Sequence, residues 1–224
     1  MLSSALRATG LIALAVGLLC GFSFLAKPAS AMDFRTADLA LGKCKGRCPS
    51  VMVATGEITS GTTQRLIAFV QQAAGQRASN VLIIDSPGGH LIESLKLGLV
   101  LRKLRTSVFV GRVVSLNGQS IAVNGSCMSA CVYTLMGGSK RFVTADSHVG
   151  VHREFLPNST GSDPLSVLRS TQRFPQVTQL LRAYSQRMGV SPALIDLAEQ
   201  YGGGGIRILT PQDITRFRLA TIAK

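Results

Sequence analysis

Ser129 lies in the run Gly125-Ser-Cys-Met-Ser-Ala-Cys-Val-Tyr133, enclosed by small residues where a glycine-containing turn meets an apolar helix. A hydroxyl at a helix N-terminus faces free backbone N–H groups that stabilise negative charge. Upstream, Val81-Leu-Ile-Ile-Asp85 reads as a buried strand and runs into Ser86-Pro-Gly-Gly89, a tight turn able to offer oxyanion amides. Downstream, the β-rich run from Phe142 to Val151 ends on His152. Taken singly, Ser129 reads as a helix cap and His152 as a hydrogen-bonded core histidine. In this order, with the glycine turn, they are the components of nucleophilic acyl transfer: Ser129 as nucleophile and His152 as base. Ser120 and Ser126 are weaker nucleophile candidates because they lack these neighbours, and His90 and His148 read as surface or structural residues.

The elements that must hold these groups follow from periodicity. Strands are predicted over 52–58, 81–85 and 106–113, alternating with helices over 62–74 and 91–104. A buried helix is predicted over 129–136, then a strand or strand pair over 140–144 and 148–151. Strand–helix–strand alternation indicates an α/β fold with a mostly parallel sheet flanked by helices. The rest is mainly helical: 165–188, interrupted by Pro175, and 193–201. Gly202–Gly205 then breaks the chain before a short β-like run at 206–209, and Thr210-Pro211 opens a last helix. No internal repeat or interdomain linker divides the chain.

Residues 1–31 read as a targeting segment. Arg7 supplies a positive start, Leu11 to Ala26 is almost wholly apolar, and Ala29-Ser-Ala31 fits a cleavage site. The expectation is an exported, periplasmic protein with one domain over 32–224; an uncleaved inner-membrane anchor is the alternative. Gly17-Leu-Leu-Cys20 is a poor lipidation site. Of 24 basic residues, Arg7 and Lys27 fall in the leader, and the rest still exceed the 11 acidic residues by eleven. That surplus reads first as a basic solvated surface, and as a function it suits an anionic membrane surface or acidic substrates. With no tryptophan and three tyrosines it gives little support to nucleic-acid binding. Beyond the leader stand Cys44, Cys48, Cys127 and Cys131. An even count in an oxidising compartment favours disulfides over a thiolate metal site. Local pairs, Cys44–Cys48 and Cys127–Cys131, are expected among three possible connectivities. The second pair requires Cys127 to precede the helix, because an i,i+4 bridge inside a regular helix is geometrically awkward.

The order Ile-Ile-Asp-Ser-Pro-Gly-Gly, small-residue serine turn, then strand ending in histidine resembles the Clp protease proteolytic subunit and its ClpP/crotonase superfamily. The nearest likeness is to exported ClpP-like proteins with a cysteine-flanked serine. The resemblance covers roughly 51–220. It implies stacked ββα units, Ser129 and His152 as catalytic pair, and oxyanion amides at Gly88–Gly89 and Ala130. It also implies a peptide or unfolded-polypeptide substrate and possible homo-oligomeric rings. No cofactor is implied, and outside the cytoplasm no ATPase partner is expected. In the family an Asp directly precedes the arginine of the closing Arg-Ile-Leu-Thr-Pro segment; here that residue is Ile206. Asp146, Asp196, Asp213 or a backbone carbonyl is left to orient His152. A Ser-Lys dyad is disfavoured, since only Lys140 and Lys224 follow Ser129. The alternatives are a degenerate, non-catalytic binding protein on the same fold and, less compatible with export, a crotonase-like acyl-CoA enzyme.

Overall fold

The computed structural model describes residues 30–40, 48–73, 78–154, 174–202 and 204–223. The predicted leader through residue 29, Cys44 and the predicted helical stretch before Pro175 therefore lie outside the described residues. Six strands form the central sheet in the order β1 (Asp33–Asp38), β2 (Ser50–Thr55), β3 (Ala78–Asp85), β4 (Ser107–Val110), β8 (Arg141–Thr144) and β11 (Thr221–Ala223). β1 runs antiparallel to β2; every other neighbouring pair is parallel. A two-stranded sheet pairs β5 (Arg112–Leu116) with β6 (Gln119–Val123). A third sheet has the order β10 (Arg207–Ile208), β9 (His148–Val151), β7 (Ser126–Met128). The helices are α1 (Thr62–Gln72), α2 (Leu91–Lys103), α3 (Cys131–Met136), α4 (Pro175–Arg187), α5 (Ala193–Ala198) and α6 (Pro211–Arg216). Among the described residues no helix is long and apolar enough to cross a membrane.

Strand alternation sorts the central apolar residues onto two faces. Met52, Ala54, Leu82 and Ile84 enter the main core beneath the helices, whereas Val51, Val53 and Ile83 join Ala37, Leu39 and Val113 in a smaller cluster on the other side. The second cluster explains why the predicted strand at 106–113 divides at Gly111. β4 stays in the parallel sheet, and β5 leaves it to form the hairpin, turned by Asn117-Gly118 with both residues at positive φ.

Two glycines bring α2 and α3 together. A Cβ on Gly137, just past α3, would collide with the backbone of Gly98 in α2; one on Gly98 would collide with the Tyr184 hydroxyl. Backbone thus lies against backbone at this crossing, and α2 and α3 begin at the two turns that matter most for the site.

Candidate active site

Ser129 occupies an elbow between β7 and α3 rather than the first turn of the helix. Its φ is 54°, left-handed backbone that costs a non-glycine residue energy and persists only where surrounding contacts enforce it. Those contacts are visible: the Ser129 N–H donates to the Gly150 carbonyl at 2.8 Å, and its carbonyl accepts from the Val132 N–H at 3.0 Å. The Cys127–Cys131 disulfide closes the same elbow, with Cys127 in β7 and Cys131 opening α3. Both cysteines are fully buried, while Ser129 itself is half-buried. Cys48 is also disulfide-bonded.

The glycine turn lies directly against this elbow. Gly88 has φ 102°, and a Cβ there would stand 2.5 Å from the Met128 carbonyl oxygen, 2.9 Å from Ser129 Cβ and 3.1 Å from the Ala130 nitrogen. Only glycine allows that approach. The turn is fixed by Ile58, whose N–H donates to the Gly88 carbonyl at 2.7 Å and whose carbonyl accepts from the His90 N–H at 2.7 Å. The Gly88 N–H donates to Ser86 Oγ at 3.1 Å. Among the described residues, the N–H groups of Gly89 and Ala130 have no acceptor, which leaves these two donors beside Ser129.

His152 is brought to the same end of the molecule by the parallel pairing of β7 with β9, in which Met128 lies opposite Gly150. Its Nδ1 lies 2.6 Å from the Arg153 carbonyl oxygen. A carbonyl only accepts, so Nδ1 carries the proton and Nε2 of the neutral ring is the basic nitrogen. Of the orienting groups considered from the sequence, the carbonyl is the one found in contact. Asp213 closes a capping box with Thr210 and receives Arg207 and Arg216. Burial works to raise its carboxyl, but the Thr210 and Arg207 donors outweigh it and hold the group below the usual carboxylate range. Asp196 pairs with Arg182, and Asp146 lies in the turn before β9, at its far end from His152. The β9–β10 register matches Arg207 with Val151; one further step places Ile206 opposite His152. Ile206 packs on Gly150 and is 39 % exposed, an apolar side chain where the resemblance expects an acid.

A cluster that the sequence gave no reason to single out lies just behind. Glu154, two residues past His152, hydrogen-bonds Tyr133 of α3, and its Oε1 has no partner among the described residues. Burial chiefly, with the nearby Glu199 charge, pushes its carboxyl up to about 7, although the Tyr133 hydroxyl pulls the other way. Arg153 donates to the Glu199 carbonyl and pairs with its carboxylate at 3.6 Å; Thr178 Oγ1 donates to the same carboxylate at 2.9 Å. The segment carrying His152 is thereby fastened to α3, α4 and the end of α5. Glu154 sits just before the region outside the described residues, with no periodicity to mark it.

The other candidates are held elsewhere. Ser126 gives both its N–H and its hydroxyl to Asp85 Oδ1, at 2.8 and 3.1 Å. Ser120 sits on the β5–β6 hairpin, His148 starts β9 exposed, and His90 caps α2 by accepting from the Glu93 N–H. Lys140, the one described lysine beyond Ser129, is exposed and precedes β8, at the opposite end of the sheet. Two surface cavities, of about 480 and 390 Å³, are lined by Arg35–Asp38 with Gly118–Ser120 and by Leu99, Arg102 and Arg187; neither borders Ser129.

No protein-family model and no curated protein matches the sequence. Solved structures do match. A serine-to-alanine variant of the 1510-N membrane-bound stomatin-specific protease is 20 % identical, with a TM-score of 0.52 over 76 % of this chain and 77 % of that one. A lysine-to-alanine variant of that protease, in complex with a substrate peptide, is 19 % identical, with a TM-score of 0.53 over 76 % and 73 %. At this identity the likeness establishes the fold: a mixed α/β, ClpP-like protease fold with a central, mostly parallel sheet flanked by helices.

Proposed function

We propose that this chain is an exported serine hydrolase, a peptidase acting on short or unfolded polypeptides through an acyl-enzyme. The observation that carries the reading is the enforced left-handed elbow at Ser129, with Gly88 packed against it and two amide donors alongside. Ser129 Oγ attacks the scissile carbonyl while His152 Nε2 takes the hydroxyl proton. The carbonyl electron pair moves onto oxygen, held by the Gly89 and Ala130 N–H groups. Collapse breaks the C–N bond, and His152 returns the proton to the leaving amine. Water then repeats the sequence at the ester and frees the acid. The Arg153 carbonyl does the orienting that an aspartate does in a triad, fixing the tautomer without adding a charge to stabilise the imidazolium.

The test is labelling of the oxidised protein by a fluorophosphonate, alongside Ser129→Ala and His152→Ala. Labelling of the wild type that both changes abolish is the expected result. A wild type that fails to label in oxidised and in reduced form overturns the reading. Such an outcome favours the second reading, a binding protein that keeps the groove and has lost the acid, which the apolar Ile206 opposite His152 supports.

A further inference from the structure

The parallel strands of the central sheet give the molecule two dissimilar ends. Ser129, Gly88 and His152 stand where β3, β7 and β9 finish. At the other end, roughly 26 Å away along the eight residues of β3, strands β4, β8 and β11 begin and helices α2, α4 and α6 terminate. Charge is spread unevenly: among the described residues Arg35, Arg65 and Arg112 are exposed cations without a carboxylate partner on β1, α1 and β5, while five more gather at the end remote from Ser129. Lys96, Arg153, Arg182, Arg207 and Arg216 each have a carboxylate partner. Lys103, Arg105, Lys140, Arg187 and Arg218 are exposed, have no such partner among the described residues, and all lie at the end remote from Ser129. Two further guanidiniums, of Arg102 and Arg141, converge there on the Met136 and Met188 carbonyls, and Arg102 Nε is buried without an acceptor among the described residues. Asp38 lies at the same end of the sheet but on β1, three strand spacings (roughly 14 Å) from β4. Asp213, at the start of α6, is already shared by Arg207 and Arg216.

Backbone conformation supplies an independent observation. Helices α2, α4 and α6 end alike: a left-handed residue whose N–H returns three residues, followed by one whose N–H returns five. This is the Schellman arrangement, in which glycine is usual because it bears no Cβ penalty. After α4 the left-handed residue is Gly189 at φ 73°. After α2 and α6 it is Arg105 at φ 56° and Arg218 at φ 55°. Two positions that would fold more easily as glycine thus hold cations, at the starts of β4 and β11, the two strands that flank β8. Leu99 and Leu104, both well exposed, lie among these charges.

We propose that this basic end docks on an anionic phospholipid surface, its cations among the headgroups and Leu99 and Leu104 at the interface. Exposed leucines interleaved with unpaired cations, with no aromatic among them, fit a lipid surface better than a nucleic acid. Docked in this way, the Ser129 end faces away from the bilayer. The inference does not depend on catalysis and survives a failure of the reading above.

The test is co-sedimentation of the full chain with phosphatidylcholine vesicles, neutral or containing roughly 30 % phosphatidylglycerol. Neutral vesicles cancel whatever the apolar N-terminal segment contributes. Each cation close to an anionic leaflet strengthens binding about five-fold, so the five predict a preference for anionic vesicles of roughly three-thousand-fold at low salt. Arg105→Gly with Arg218→Gly, changes the backbone accepts, should lower that preference about 30-fold while retaining the thermal midpoint. Arg112→Gln, which removes an exposed cation on β5, should leave the preference unchanged. A lowered midpoint with the vesicle preference intact would make the arginines mere helix caps and overturn the proposal. Tight binding to polyglutamate or an oligonucleotide with no preference between vesicles would overturn it in favour of a soluble acidic partner.

Discussion

Glu154→Gln isolates the energetic consequence of the carboxyl behind the candidate pair. In the folded chain this group ionises at about 7 rather than the ordinary 4.5, chiefly because burial penalises its charge and Glu199 repels it. The native state therefore keeps a proton that the unfolded chain releases at lower pH. Between these values the native state binds more protons than the unfolded state, so stability falls as pH rises. Below about 4.5 both states are protonated and the contribution is intact; above about 7 the penalty is complete. At 1.36 kcal/mol per tenfold change the difference comes to about 3 kcal/mol. Glutamine keeps the shape and an acceptor for Tyr133 but never ionises. Urea unfolding followed by circular dichroism, from about pH 4 to about pH 8, should show wild type and Glu154→Gln nearly matched at the acid end. The variant should lead by about 3 kcal/mol at the alkaline end. A gap that does not change with pH would refute the argument, because a packing difference is pH-independent and an ionisation difference is not.

Three further outcomes are expected. Ile206→Asp sets a carboxylate opposite His152 and should speed fluorophosphonate labelling by about 10- to 100-fold; an unchanged rate in a folded variant would mean that the β9–β10 register does not reach the imidazole. Gly88→Ala forces a Cβ into the Met128 carbonyl and Ser129 Cβ at φ 102°, so labelling should drop at least 100-fold; wild-type labelling would contradict the close approach. Replacing Cys127 and Cys131 together by serine should cost about 2 kcal/mol, as expected for a loop closed at a sequence separation of 4, and slow the labelling; unaltered stability would count against the disulfide as a brace for the elbow.

Much of the scaffold was legible because its signals are local. The apolar runs at 81–85 and the amphipathic stretch at 91–104 became β3 and α2 with ends within a few residues of those expected. The expected Cys127–Cys131 pairing is present, with Cys127 ahead of the helix as the geometry requires. Other features depend on partners distant in sequence. β7 is only three residues long, β1 mixes charged and apolar side chains, and both gain their identity by pairing, with β9 and β2. The β5–β6 hairpin did carry a signal, Asn117-Gly118, which the continuous apolar pattern from Thr106 to Val113 obscured. Ser129 was expected within the first turn of a helix; its left-handed backbone is imposed by Gly150 and the Gly88 turn, residues 21 and 41 positions away in the chain. Glu154 gave no sign because a carboxylate beside a loop reads as solvated until the fold encloses it.

The crossing of α2 and α3 acts as a pair of calipers. One arm starts at His90, immediately after the Gly88–Gly89 turn, and the other just after Ser129. The arms touch where Gly98 meets Gly137, roughly 13 Å along α2 from Gly89. The opening between Ser129 and the Gly89 and Ala130 N–H groups is thus gauged at a joint buried between the two helices. A single methyl group inserted there would spread the arms while leaving Ser129, Gly88 and His152 unsubstituted. The loss would resemble an active-site lesion in a rate assay, yet be written in two glycines buried between helices.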